Sequence, residues 1–392
     1  MQIAIIGSGL AAIAAAKALI ARGVKPLILD YGKRLDKDRQ LIVKKFSSLE
    51  PKQWSHKDKT CITANHTIHN KKLLPQKLAF GSDYFYGNST DNAPVIANGL
   101  LPPFSYAKGG FSVGWGAAAL PHDDCDLTDW PIKRLQLEPY LKKVLADLPY
   151  SACDDGLSTH FPLYSRAIEP IQLATGNASL LHAMQTSKKM QQQQIAFGQA
   201  RLLTHAATNT IAQGCKYCGY CMSGCAYDCI YKSSQDLDKL VSAGLVDYIS
   251  GALVESLQEK NNQVTILYKN KENQPTSLVV DRVLLAAGAT NSTRIVLQSK
   301  KLYHHTVQLK STVGFAAPML RLKSMPCEWP HINSQPGIFL EYKVNDLSNH
   351  WVHTQISTPN EMVLEKLAIS PFKQGIIPCL KKKISQHLVI AH

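Results

Sequence analysis

Ile3-Ala4-Ile5-Ile6-Gly7-Ser8-Gly9-Leu10-Ala11-Ala12 joins an apolar tetrad, a glycine turn and the start of an alanine-rich run without any spacer. The tetrad reads as a short strand. Leu10 to Ala21 contains neither glycine nor proline and is closed by Arg22-Gly23, a basic last turn followed by a C-cap glycine, so it reads as a helix. Val24 to Asp30 then reads as the second strand of a βαβ start. Gly7, Gly9 and Ala12 fill the small-residue positions of the G-x-G-x-x-G/A pattern, each for its own reason. Gly7 lets the chain turn tightly out of the strand, Gly9 lets the backbone approach a pyrophosphate, and Ala12 lets the helix pack close to the sheet. The pyrophosphate sits at the helix N-terminus, where unpaired amides and the helix dipole favour an anion. Asp30 stands where an acidic side chain accepts hydrogen bonds from a ribose hydroxyl pair, which disfavours a 2′-phosphate and hence NADP. The pattern alone does not separate flavin from nicotinamide, because both carry the same adenosine diphosphate half.

The rest of the chain bears on that choice. A plain nicotinamide dehydrogenase would continue strand, helix, strand, whereas Tyr31 to about Leu100 reads as irregular, polar and lysine-rich. A glycine and small-residue stretch follows from Gly109 to Ala119, then a turn cluster at Pro121-His122-Asp123-Asp124 and a helix from Ile132 to Leu148. Residues 251–258, 263–268 and 277–287 read as an antiparallel meander whose last strand runs through Gly288 into a helix near Asn291, returning the chain to a parallel sheet. Alternating segments at 338–345 and 350–357 predict a further sheet. The expected class is α/β: a Rossmann-like domain, with a parallel sheet carrying helices on both faces plus a β-meander, beside an α+β substrate domain. The expected division is 1–150 for the first part of the dinucleotide domain, 151–235 for a cysteine-containing insertion, 236–312 for the return segment and 313–392 for a partial substrate domain.

Lys108-Gly109-Gly110-Phe111-Ser112-Val113-Gly114-Trp115-Gly116-Ala117-Ala118-Ala119-Leu120-Pro121 resembles the second flavin-contact segment of the glucose-methanol-choline oxidoreductase family. The likeness continues at Asp129-Trp130-Pro131-Ile132, at Phe197-Gly198-Gln199-Ala200-Arg201 and from Leu285 to Arg294, and is nearest to the bacterial branch associated with sugar or polysaccharide metabolism. It implies FAD as the cofactor, with contacts from Gly109, Gly110, Ser112, Trp115, Gly116, Val254 and Gly288 beside those of Gly7, Gly9, Ala12 and Asp30. The glycine pair admits a flat ring system against bare backbone and supplies amide donors. Relatives that tether the flavin carry a histidine just before the tryptophan; Gly114 stands there, so the flavin is expected to be held without a covalent bond. The resemblance implies hydride transfer from a CH–OH group, on an alcohol or sugar, to an unidentified electron acceptor by way of the flavin. The family's catalytic histidine lies in a C-terminal, glycine-rich context that this sequence does not offer. Gly375, His387 and His392 lack it, and His350 and His353, on a strand-like segment around Trp351, are more in keeping with packing or surface roles. No catalytic base is assigned, the chain reads as a truncated relative, and a catalytically silent flavin-binding protein is the rival reading.

Five of the ten cysteines fall between Cys215 and Cys229. Cys215-x2-Cys218-x2-Cys221-x3-Cys225 has the spacing of a bacterial iron–sulfur run, with Gly214, Gly219 and Gly224 to let the backbone wrap, although Ala226 stands where proline usually follows. An iron–sulfur centre, a zinc site and a metal-free thiol loop all fit these residues. A cluster would favour a dehydrogenase or an iron–sulfur flavoprotein electron carrier.

Composition excludes more than it selects. Lysine and arginine outnumber aspartate and glutamate 43 to 29, for a net charge of +14, but the charge is spread and its longest run, Lys381-Lys382-Lys383, reads as a solvated tail, so no nucleic-acid partner follows. No stretch is long and apolar enough to span a bilayer, and no secretory signal opens the chain. The expectation is a cytoplasmic protein with reduced thiols.

Overall fold

The computed structural model describes residues 1–63, 77–87, 103–206, 214–309, 314–344, 349–360 and 378–392. It divides into two compact units: Met1–Gln40, Gly81–Trp115 and Lys232–Thr312 in one, and Leu41–Phe80, Gly116–Tyr231 and Val313–His392 in the other.

The first unit is built on a four-stranded parallel sheet in the order Arg282–Leu285, Ile3–Ile6, Leu27–Asp30, Asp247–Ser250. Alternation along the strands decides what covers each face. Ile5 and Ile28 point to the side where Ala12, Ile13 and Ala16 of the helix Leu10–Ile20 pack with Leu237 of the helix Ser233–Ser242. Ala4, Ile6, Leu27 and Leu29 point to the other, against Ala252, Val254, Ile266 and Val280 of the meander region and Ile295 of the helix Ala289–Ser299. The meander strands Leu253–Lys260, Gln263–Lys269 and Pro275–Val280 are antiparallel neighbours in that order.

The apolar run expected as one strand over 277–287 is two. It breaks at Asp281, so that Pro275–Val280 closes the meander while Arg282–Leu285 pairs in parallel with Ile3–Ile6. A continuous apolar stretch carries no mark of a change of sheet. The stretch expected to be irregular also holds the helices Lys37–Ser47 and His56–Thr63. Each buries a single apolar residue, Phe46 and Ile62, so neither shows the apolar stripe that identifies a helix in sequence.

The second unit contains a five-stranded sheet in the order Ala317–Leu320, Leu388–Ala391, Val352–Ser357, Ile338–Tyr342, Ile195–Gln199, antiparallel throughout. The strands predicted around 338–345 and 350–357 are neighbours in it. The lysine run read as a tail instead lies in the helix Pro378–His387, which leads into the strand Leu388–Ala391; a polar helix of this length resembles solvated sequence. Arg201 is fully buried and pairs with Asp155 at 2.7 Å, fixing the end of the Ile195–Gln199 segment. Among the described residues no helix is long and apolar enough to cross a membrane. Gly375 lies outside the described residues.

Candidate functional site

A cavity of about 660 Å³ opens in the first unit at the C-terminal ends of the parallel strands, where ligands bind in open α/β sheets. Its floor is the turn that the sequence singles out. Gly7 has φ +101°, and a Cβ there would lie 2.5 Å from the carbonyl oxygen of Ala286, so the turn after the first strand can pass the neighbouring strand only as glycine. Gly9 caps the helix Leu10–Ile20 with no side-chain hydrogen bond, and no acidic residue occupies the first turn. The amides of that turn, which have no intrahelical acceptor, are left for a ligand. Gly288 likewise caps the helix Ala289–Ser299 with φ +80° and no side-chain bond. A Cβ on Gly9 or Gly288 would meet open space, and both residues line the cavity, as bare backbone walls do when a ligand is to lie against them.

The second glycine segment faces the first. Gly109 and Gly110 have φ +93° and +57°, and a Cβ on Gly110 would lie 3.6 Å from Cα of Gly9. A buried serine network holds the two together. The Gly109 amide donates to Oγ of Ser8 at 2.8 Å, Oγ of Ser112 donates to the Gly109 carbonyl at 2.6 Å, and Oγ of Ser233 donates to the Ser8 carbonyl at 3.0 Å. Ser233, the first residue of its helix, also gives its amide to Oγ of Ser112 at 3.0 Å. Lys108, itself buried, pairs with Asp238 on that helix.

Asp30 lines the cavity with its side chain nearly enclosed, accepting hydrogen bonds from the Ser8 hydroxyl and, at 3.3 Å, from the Tyr248 hydroxyl. Burial pushes its carboxyl up to about 6, against the lowering effect of those two donors. Beside it the rings of Tyr31 and Tyr106 lie 5.1 Å apart and those of Phe104 and Tyr106 5.5 Å apart, giving an aromatic wall continued by Leu253. Asn291 and Arg294 of the helix Ala289–Ser299 reach the cavity from the opposite wall; Nδ2 of Asn291 donates to the Ser105 carbonyl at 3.3 Å and Arg294 donates to the Val254 carbonyl at 2.9 Å.

Of the residues singled out in the sequence, Gly7, Gly9, Asp30, Gly109, Gly110, Ser112, Trp115, Val254 and Gly288 come together around this cavity. Ala12 lies behind it, fully buried between helix and sheet, and Gly116 lies outside the lining. Sequence reasoning passed over Ser8, Tyr31, Phe104, Tyr106, Ser233, Asn291 and Arg294. The position of Ser8 inside the glycine pattern is a signal, and so is that of Asn291 and Arg294 in the segment from Leu285 to Arg294 that carries the resemblance; the others carry none, being common residue types brought in by the fold.

In the second unit, Cys215 and Cys221 are buried and Cys218 and Cys225 half-buried in a loop with positive φ at Tyr217, Gly219, Gly224 and Asp228. A Cβ on Gly219 would lie 2.4 Å from the Pro330 carbonyl oxygen, so the wrapped loop needs glycine there. Burial raises the thiols of Cys215 and Cys221. The two histidines on the strand-like segment are both paired with carboxylates: Nδ1 of His353 with Glu341 on the neighbouring strand, and Nδ1 of His350 with Asp126 at 3.2 Å.

No protein-family model matches this sequence, and no curated protein does. Solved structures match its fold. Pyridoxine 4-oxidase from Mesorbium loti aligns over 100% of this chain and 70% of its own, at TM-score 0.50 and 11% identity. A formate oxidase from Aspergillus oryzae RIB40, solved to follow the effect of a mutation on FAD modification, aligns over 99% of this chain and 71% of its own, at TM-score 0.52 and 10% identity. At such identity the likeness concerns architecture: the chain has an α/β fold, a Rossmann-like parallel sheet with antiparallel sheets, like those of these two oxidases.

Proposed function

We propose that the cavity holds FAD without a covalent tether and that the protein is a flavin-dependent oxidoreductase acting on the CH–OH group of a small alcohol or sugar. One observation carries this reading: two uncapped helix N-termini, two facing glycine segments, a buried acid and an aromatic wall converge on one cavity of a size suited to a cofactor, within the range of about 300–1,000 Å³. The amides after Gly9 would hold the pyrophosphate, Asp30 would accept from the ribose hydroxyls, and Gly109 and Gly110 would offer backbone to the ring system. The aromatic wall of Tyr31, Phe104 and Tyr106 suits a purine. When bound, the flavin supplies a hydride acceptor at N5. The absence of a tether is supported at Gly114, where even a Cβ would lie 2.4 Å from the Phe85 ring.

Proton removal from the substrate hydroxyl needs a base within hydrogen-bond reach, and none is assigned. That gap keeps the catalytically silent flavin-binding protein as the rival. An absorption spectrum of the purified protein, followed by anaerobic addition of candidate alcohols, separates them: flavin bands that bleach support the oxidoreductase, and flavin bands inert to every alcohol support the silent binder. A colourless protein that takes up no added FAD overturns both.

The iron–sulfur reading of Cys215, Cys218, Cys221 and Cys225 rests on their spacing in the sequence; no three of these sulfur atoms, all in described residues, lie within 4.8 Å of one another. Iron and acid-labile sulfide measured on anaerobically purified protein test it; stoichiometric absence of both removes the cluster.

A further inference from the structure

Cys125 and Asp126 lie in the turn that precedes the helix Arg134–Leu145, and His350 stands two residues before the strand Val352–Ser357. Folding of the second unit brings these distant segments together. Oδ1 of Asp126 is 3.2 Å from Nδ1 of His350 and 3.9 Å from Sγ of Cys125, and the three potential ligand atoms all lie within 4.8 Å of one another. We propose that Cys125, Asp126 and His350 form a zinc site, with water in the fourth position. It stands apart from the cofactor reading and uses none of its residues.

The geometry is close to what one ion requires. Tetrahedral zinc with sulfur at about 2.3 Å and nitrogen or oxygen at about 2.0–2.1 Å sets ligand atoms roughly 3.3 Å apart for the oxygen–nitrogen pair and roughly 3.6 Å for the sulfur–oxygen pair. The oxygen–nitrogen and sulfur–oxygen spacings differ from these by a few tenths of an ångström, and the sulfur–nitrogen pair lies within 4.8 Å, so that side-chain rotation draws the three onto one ion. The donor set also selects the metal. One sulfur, one imidazole nitrogen and one carboxylate oxygen make a borderline site that suits zinc and rejects calcium and magnesium, which need oxygen ligands. On binding, the Cys125 thiol gives up its proton to solvent, and thiolate and carboxylate together balance the divalent charge. Asp123 adds negative potential nearby, although its Oδ1 is shared with Arg134 at 3.3 Å; the opposing charge is Lys343, held 5.7 Å from the centre of the Trp351 ring. A plain exposed His350–Asp126 ion pair would contribute little to stability. The thiol brought beside it makes a third ligand, and the exposure of Asp126 and His350 leaves the fourth position open to water.

The full chain, freed of loosely held metal by dialysis against a chelator, is titrated with zinc against a chromophoric competitor beside His350→Ala and Asp126→Asn. Both variants change exposed side chains and leave every cysteine in place, so the thiols of residues 215–229 contribute equally to all three proteins. One zinc equivalent present in the wild type and lost in both variants is expected, with a zinc-dependent rise in Tm that is smaller in His350→Ala. Equal zinc stoichiometry and affinity in the wild type and His350→Ala would overturn the site.

Discussion

At the scale of single residues, Asp30 and Gly7 carry the most consequence. A carboxyl that titrates near 6 in the folded chain and near its ordinary 3.8 when unfolded binds more protons in the folded state between those values. Its contribution to the stability of the cofactor-free protein is therefore fully present below about pH 4 and is lost as pH rises through about 6, by roughly 3 kcal/mol. Asp30→Asn should abolish this part of the pH dependence, seen as a smaller fall in urea midpoint between acid and neutral pH than the wild type shows. The same substitution should weaken FAD binding about 10- to 100-fold, the loss expected when hydrogen bonds to a charged acceptor are removed, measured by flavin fluorescence titration. Gly7→Ala should cost about 1–3 kcal/mol in backbone strain alone, with the collision against the Ala286 carbonyl in addition. Thermal unfolding and flavin content read its effect, and a variant with wild-type Tm and full flavin would show that the turn does not need glycine.

At the scale of elements, the helix Ser233–Ser242 ties the two glycine segments together although it belongs to neither. Ser233 is fully buried, and its hydroxyl and amide reach the Ser8 carbonyl and the Ser112 hydroxyl. Ser233→Ala removes the hydroxyl donor and should destabilise the first unit by about 1–3 kcal/mol, the cost of leaving a buried acceptor unpaired. Because that acceptor lies within the glycine turn, flavin affinity should fall with stability, whereas the exposed Ser242→Ala at the other end of the helix should change neither. A Ser233→Ala protein with unchanged flavin affinity would assign the network to folding alone.

At the scale of the whole molecule, each unit has its own buried polar anchor. In the second unit it is Arg201, fully buried and held by Asp155 at 2.7 Å, with a further bond from Arg201 to the Gln199 carbonyl at 3.0 Å. Arg201→Ala removes the fully buried guanidinium and leaves the half-buried Asp155 carboxylate with only the Gln199 and Leu157 amides, and should cost about 3–5 kcal/mol. Denaturant unfolding followed by far-UV circular dichroism checks it, and a loss below about 1 kcal/mol would mean that the Gln199 and Leu157 amides suffice to hold Asp155.

Much of the first unit was legible in the order of residues, because its signals are local. The apolar tetrad before Gly7, the alanine-rich helix closed by Arg22-Gly23 and the acid at Asp30 lie within one short segment, and backbone sterics and helix capping act at that range. The meander was legible for the same reason, since turns such as Lys260-Asn261-Asn262 punctuate alternating strands. Tertiary structure alone decided the rest. It broke the run 277–287 between two sheets, brought Ser233 to the glycine turn, placed Tyr31 beside Tyr106, and set His350 against Cys125 and Asp126. Those encounters join residues far apart in the chain, and they follow from which hydrophobic faces pack together, a choice that no local pattern of residue types encodes.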